Sequence, residues 1–125
     1  GSMSRASDKE FQPIFDSAER TATSTATFAT GSCAGLFFIN VTAVSATPSV
    51  VFTIKGQDPI SGASYDILAS AAITATGLTV LRVHPALTAA ANTVAKDMLP
   101  AAVAVTATHA DADAITYSVG FIGVE

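Results

Sequence analysis

The segment THADADAITYSVG, residues 108–120, carries the residue types and spacing in this chain that come nearest to chemistry. His109, Asp111 and Asp113 alternate with alanines, and side chains two residues apart on an extended strand lie on one face. Such a set could approach a metal ion, but calcium prefers more oxygen ligands and zinc prefers His and Cys. Asp is also a frequent turn residue, because its carboxylate accepts hydrogen bonds from nearby backbone N–H groups. We therefore predict a turn between neighbouring strands and no cofactor, with Asp111 and Asp113 as the candidates if a metal binds.

The remaining polar residues do not assemble a recognisable catalytic set, so no catalytic residue is assigned and the chain is predicted not to be an enzyme. It has no G-x-S-x-G elbow and no phosphate-binding loop. His84 precedes Pro85, which favours an extended backbone and a structural histidine. Tyr65 and Tyr117 lie in alternating runs and are interpreted as core or rim residues. The alternative for the two tyrosines is a platform for stacking on sugars.

The composition is that of one domain that associates with other molecules. The chain has 125 residues, a net charge of −4 and only 13% charged residues. No basic cluster is present, which argues against nucleic acid as a partner. No apolar run reaches the roughly 18 residues that span a bilayer, and residues 3–20 are too polar for a secretory signal. Cys33 has no cysteine partner within the chain and is predicted to be a packed thiol.

The first twenty residues are richer in charged residues than the rest of the chain and lack its alternating pattern. Gly1-Ser2-Met3 is typical of a tag remnant, and nearly half of all charged residues follow before residue 21. Phe11, Ile14 and Phe15 have the spacing of one helical turn, but Pro13 interrupts it. We interpret residues 1–20 as a tag remnant and an extended N-terminal arm, and residues 21–125 as the folded domain. The arm is either a frayed terminus or a segment that binds a neighbouring subunit through Phe11, Ile14 and Phe15.

From Thr21 onward, short runs of Thr, Val, Ile and Ala alternate in the manner of half-buried strands. Turn residues separate the runs, and residues 86–100 are predicted to be a loop with a short turn at most. This pattern predicts an all-β fold: an antiparallel β-sandwich, jelly-roll or Ig-like, of about seven or eight strands. The predicted strands cover residues 21–30, 35–45, 50–58, 65–70, 78–85, 101–110 and 115–124.

Two long stretches carry a resemblance to a known class of protein. They are VTAVSATPSVVFTIKGQDPISGASYDILASAAITATGLTVLRVHP and LPAAVAVTATHADADAITYSVGF. Their succession of strands and turns, over about residues 35–122, resembles small virion structural proteins of tailed bacteriophages. The resemblance implies a β-sandwich that decorates a capsid or forms part of a fibre or tail, and it transfers no functional residues.

These observations together predict a non-enzymatic capsid decoration or cement protein, which binds the capsid surface and stabilises it by inter-subunit contacts. The alternatives are a tail or fibre component, or a carbohydrate- or calcium-binding β-sandwich module. The expected partners are the major capsid protein or other virion proteins, and further copies of the chain, with a trimer favoured. Assembly in the host bacterial cytoplasm, before the protein resides in the virion, agrees with a single reduced cysteine.

Overall fold

The computed structural model describes residues 10–124, and within this range the chain is all-β, with nine strands and no helix. Seven of the strands match the seven predicted runs, because alternation of inward and outward side chains is visible in sequence. Two further strands were not predicted. The strands are β1 (Glu10–Arg20), β2 (Ser24–Ala29), β3 (Ala34–Val44), β4 (Val50–Gln57), β5 (Ser64–Ala69), β6 (Gly77–Val83), β7 (Val94–Ala95), β8 (Ala102–His109) and β9 (Ile115–Val124).

The strands form two sheets, a five-stranded sheet in the order β1-β9-β3-β6-β7 and a four-stranded sheet in the order β2-β8-β4-β5. All pairings are antiparallel except that of β6 with β7. The eight longer strands form one long antiparallel ribbon that ends at the β4–β5 turn. Its paired strands are β4 with β5, β3 with β6, β2 with β8, and β1 with β9. The ribbon folds over itself, which brings β9 beside β3 and β8 beside β4.

One hydrophobic core lies between the two sheets. Fully buried side chains come from both of them, including Phe37, Tyr117 and Phe121 from the five-stranded sheet and Phe52 from the four-stranded sheet. The Phe52 and Tyr117 rings meet edge to face, with centroids 4.9 Å apart. Phe28 of β2 reaches across to Phe121 at the same distance. Each fully buried aromatic or aliphatic side chain contributes about 1.5–3 kcal/mol, so these contacts hold the sheets together.

The predicted boundary at residue 20 does not coincide with an edge of the fold. Glu10–Arg20 is strand β1, which pairs with β9 along its length, while residues 1–9 of the proposed arm, with the tag remnant, lie outside the described residues. Two register shifts interrupt the pairing, between Pro13 and Phe15 and between Phe15 and Ala18. They break the alternation that would mark a strand in the sequence. Pro13 is tolerated because an edge strand has one side without ladder hydrogen bonds.

Two of the connections that link one sheet to the other are residues 86–100 and residues 110–114. Residues 110–114 form a turn, as predicted, but the strands on either side of it lie in different sheets. The expectation that this turn joins paired neighbours was wrong, because β8 and β9 take their partners from other parts of the ribbon. Residues 86–100 form turns around the short strand β7, and Asn92 adopts a positive φ of 63°. The described residues contain no helix long and apolar enough to cross a membrane.

Candidate docking face

The outer surface of the five-stranded sheet is apolar where solvent would favour polar residues. Phe37 and Ile39 of β3 point into the core, so Leu36 and Phe38 point outward. The register places Phe11 beside Ile122 and Ile122 beside Leu36. One step along the sheet it aligns Pro13, Gly120, Phe38 and Val80. We call this surface the apolar face, made by Phe11, Pro13, Leu36, Phe38, Val80 and Ile122.

A shallow groove crosses the apolar face at Gly120. Gly120 has no side chain to fill the space between Pro13 and Phe38, and a groove of about 310 Å³ remains there. The Phe11 side chain stands at its rim with 71% of its surface exposed. A Cβ built at Gly120 meets no atom within 4 Å. The groove is therefore open to an incoming side chain.

A second groove of about 230 Å³ continues the same side of the sheet, lined by Leu36, Arg82, His84, Leu87 and Val124 among others. Across both grooves most lining side chains are apolar, and the charged group is the guanidinium of Arg82. The polar side chains of this lining are those of Gln12, Arg82 and His84, and the rest of the lining offers apolar contact. Burying such a lining against another apolar surface removes it from water, which is favourable by about 25 cal/mol per Å². For a side chain of the size of Phe11 this gives about 2 kcal/mol of binding free energy.

The three residues predicted to bind a neighbour do not share one surface. Phe11 lies on the apolar face, whereas Phe15 is only 8% exposed and belongs to the core. Ile14 is half-buried and packs against the core from the edge. In a regular strand Phe11 and Phe15 would lie on the same face, but the register shift after Pro13 turns Phe15 inward. Of the three, Phe11 is the side chain that is largely exposed.

The carboxylates of the HADAD segment are engaged in turn contacts. Asp111 Oδ1 accepts the backbone N–H of Asp113 at 3.1 Å. Asp113 Oδ2 accepts the backbone N–H of Thr47 at 3.2 Å and the Thr47 hydroxyl at 3.4 Å. These bonds fasten the β8–β9 turn to the β3–β4 turn. Within residues 10–124 no group of three or more His, Cys, Asp or Glu side chains is placed to hold a metal ion.

The His109 ring packs against Tyr117 in a stack of side chains from three strands. Its Nε2 lies 3.2 Å from the hydroxyl of Tyr117, while its buried Nδ1 has no hydrogen-bond partner. The Arg20 guanidinium lies 4.8 Å from the centre of the Tyr117 ring and 5.0 Å from that of Phe15. Arg20 also donates to the Tyr117 carbonyl at 3.0 Å. The stack thus ties β1 to β8 and β9.

The electrostatics of this stack favour neutral side chains. Burial, aided by the charge of Arg20 and opposed by Asp111, holds the pKa of His109 below its usual value. Burial raises the pKa of the Tyr117 phenol, and Arg20 partly offsets that rise. A neutral imidazole whose Nε2 is bonded to a fully buried phenol has a structural role here, since that bond links β8 to β9 inside the fold.

A second polar cluster closes the other end of β1. Glu10 Oε1 accepts the hydroxyl of Thr30 at 2.5 Å and that of Ser32 at 3.1 Å. Gln12 Nε2 donates to the Glu10 carboxylate and, at 2.7 Å, to the carbonyl of Ala29. The hydrogen bond from Thr30 has the largest effect and lowers the pKa of Glu10; burial, next in size, raises it, and the hydrogen bonds from Gln12 and Ser32 lower it further. The cluster joins β1 to the end of β2.

The other residues considered in the sequence have structural surroundings. His84 Nδ1 accepts the N–H of Ala86 at 2.9 Å. Tyr65 is half-exposed and lies against Gly56, where a Cβ would come within 2.5 Å of its ring. The prediction of a packed Cys33 was wrong, because the thiol is exposed. Cys33 lies one residue before β3, in a connection between strands, where the alternation of side chains along a strand does not predict burial.

The apolar face was missed by the sequence analysis, although a signal for it existed. In GLFFIN, Phe37 and Phe38 are adjacent and must point to opposite faces of one strand. A strand with large apolar residues on both faces is covered on both faces or is available to a partner.

No protein-family model, no curated protein and no solved structure matches this chain.

Proposed function

We propose that this chain is a non-enzymatic structural protein of a phage virion, a capsid decoration or cement protein that attaches through the apolar face. The observation that carries the proposal is the exposed apolar surface of the five-stranded sheet, with Phe11 beside the groove at Gly120. Contiguous apolar patches of this kind mark binding surfaces on soluble proteins. The partner is the major capsid protein or another virion protein, and the attached copies stabilise the shell.

The strand pairing supports the fold part of this proposal. A ribbon of eight longer strands, folded over so that β1-β9-β3-β6 faces β2-β8-β4-β5, supports a jelly-roll β-sandwich. That architecture occurs in viral capsid proteins and also in lectins and cupins. Fold alone does not assign function, so the proposal depends on the apolar face and on the resemblance to phage virion proteins.

The chemistry of the polar residues is consistent with a structural role. The side-chain hydrogen bonds of His109, Tyr117, Asp113 and Glu10 join neighbouring strands and turns of the fold. A net charge of −4 agrees with a protein rather than nucleic acid as partner. Assembly would take place in the bacterial cytoplasm, with the finished protein residing in the virion.

The test compares binding of variants to particles of the encoding phage prepared without this protein. We expect wild type to cosediment with the particles and F11S to bind roughly 30-fold more weakly, since about 2 kcal/mol of burial is lost. I60S is the matched control, because Ile60 is an apolar side chain 93% exposed in the β4–β5 turn, away from the apolar face.

The result that refutes the proposal is equal binding of F11S and wild type, or no binding of wild type to any part of the particle. Electron microscopy of the bound, labelled protein then separates shell from tail. Labelling confined to the tail would keep a virion role and reject decoration of the capsid.

A further inference from the structure

The edges of the two sheets are protected unequally. Exposed sheet edges invite pairing with another chain, and natural proteins block them with proline, charge, irregular register or short length. β1 has Pro13 and two register shifts, β5 has the exposed charge of Asp66 and an irregular register with β4, and β7 is two residues long. β2, with the sequence STATFA, has no charge, no proline and an unbroken register with β8.

The register shows which backbone groups of β2 face outward. The Thr30 N–H donates to the carbonyl of Ala101 at 2.9 Å, in the same register that pairs β2 with β8. Antiparallel strands exchange hydrogen bonds at every second residue, so Ser24, Ala26 and Phe28 bond to β8. Residues 25, 27 and 29 therefore direct their N–H and C=O groups away from β8.

One of these outward groups already has a partner. The Ala29 carbonyl accepts Gln12 Nε2 at 2.7 Å, which agrees with the assignment of outward residues. Thr25 and Thr27 remain, and in the described part of the chain no strand lies beside them on that side. The Thr25 hydroxyl is bonded to that of Thr106 on the outer surface of the sheet at 3.0 Å, so the side chain does not cover the edge.

We propose that β2 is a self-association edge, along which two copies of this chain pair antiparallel about a two-fold axis at Ala26. This register sets Thr25 opposite Thr27 of the second copy and Ser24 opposite its Phe28. Both outward-facing residues then exchange backbone hydrogen bonds, about four in all. The two four-stranded sheets become one sheet of eight strands.

The occupant is a second copy because the edge is complementary to itself. The small Ala26 side chain lies on the axis, where two large side chains would collide. No charged residue occurs between Arg20 and Lys55, so the two paired β2 strands carry no like charges against each other. Threonine pairs across neighbouring strands are favourable contacts, and an isologous interface needs a surface that matches itself.

The pairing is separate from the proposed docking to a virion partner, since β2 and the apolar face belong to different sheets. It also differs from the trimer expected at first, because antiparallel pairing of one strand with its own copy is two-fold by geometry. A dimer paired in this way leaves both apolar faces available.

The experiment measures the association state of the full chain by sedimentation and light scattering over a concentration series. We expect wild type to dimerise, and T27P to associate roughly 30-fold more weakly because each copy loses an outward N–H. T27V is the matched control, since it keeps the N–H and the shape of the side chain. Circular dichroism and thermal melting report whether each variant is folded.

A second variant, T27K, leaves the backbone unaltered and adds a charge that faces its own copy near the axis. It too is expected to weaken the dimer, and hydrogen exchange at the Thr25 and Thr27 amides is expected to slow as wild type concentration rises. A monomeric or trimeric wild type would overturn the proposal. So would folded T27P and T27K that both dimerise like T27V, whether or not the chain binds phage particles.

Discussion

Replacing Phe15 by alanine tests whether β1 is part of the domain or a detachable segment. The Phe15 ring is 8% exposed, meets the Tyr117 ring edge to face at 5.9 Å and lies under the Arg20 guanidinium. Truncation of a buried Phe costs about 3–5 kcal/mol. Because Phe15 lies on an edge strand, where neighbours can partly close the space, we expect about 3 kcal/mol.

Phe11 supplies a matched control four residues away. It is the same residue type on the same strand, but its side chain is 71% exposed. Surface substitutions of this kind change stability by about 0.5 kcal/mol or less. Urea unfolding followed by circular dichroism measures the free energy of unfolding of both variants. Thermal melting gives a second measure: at about 4 °C per kcal/mol, the melting temperature of F15A should lie about 12 °C below that of wild type.

The reasoning is refuted if F15A and F11A unfold at the same urea concentration as wild type. Equal values would mean that Phe15 does not pack in the core and that residues 10–20 behave as an arm. A large loss for F11A with none for F15A would mean that the inward and outward sides of β1 are reversed. Either result would also remove the basis for placing Phe11 on the apolar face.

Two further predictions concern stability. A Cβ at Gly35 would lie 2.3 Å from the Phe121 ring and 2.8 Å from a backbone carbonyl oxygen, so G35A should lose about 1–3 kcal/mol. G120A, with open space around the new methyl, should be neutral or slightly stabilising in the same urea titration. For His109, burial lowers the pKa below the usual 6.5, so the unfolded chain takes up the proton more readily than the folded chain. Its contribution to stability is therefore complete above pH 6.5 and is lost as the pH falls from 6.5 towards the folded pKa. Melting temperatures between pH 5 and 8 should show this loss in wild type and a smaller one in H109Q, and an identical profile in the variant would contradict the assignment.

The seven strands from β2 onward, excluding β7, could be located from the sequence because short runs rich in Val, Ile, Thr and Phe are bounded by turn residues. The turn at Asp111 was equally readable, since its carboxylate accepts the backbone N–H two residues on, whereas the bonds of Asp113 to Thr47 depend on the tertiary fold. The strand pattern and the Asp111 turn are local effects, and the residues that cause them are neighbours in the chain.

The sites depended on contacts that no local pattern contains. Phe11 and Phe15 look alike in sequence, and the register shift against β9 separates them into a surface residue and a core residue. His109 looked like a companion of the aspartates, but the Tyr117 hydroxyl and burial between β8 and β9 determine its state. The exposure of β2 as an edge follows from the order of four strands.

By itself, the sequence determined that this chain is all-β and where most of its strands run. It also determined that the content of charged residues is low, so charge repulsion does little to prevent association with other molecules. Only the tertiary structure decided which strands pair, which of two similar phenylalanines is buried, and which surface and which edge remain uncovered. The physical reason is that alternation fixes the two faces of a strand, whereas burial depends on what the rest of the chain places against each face.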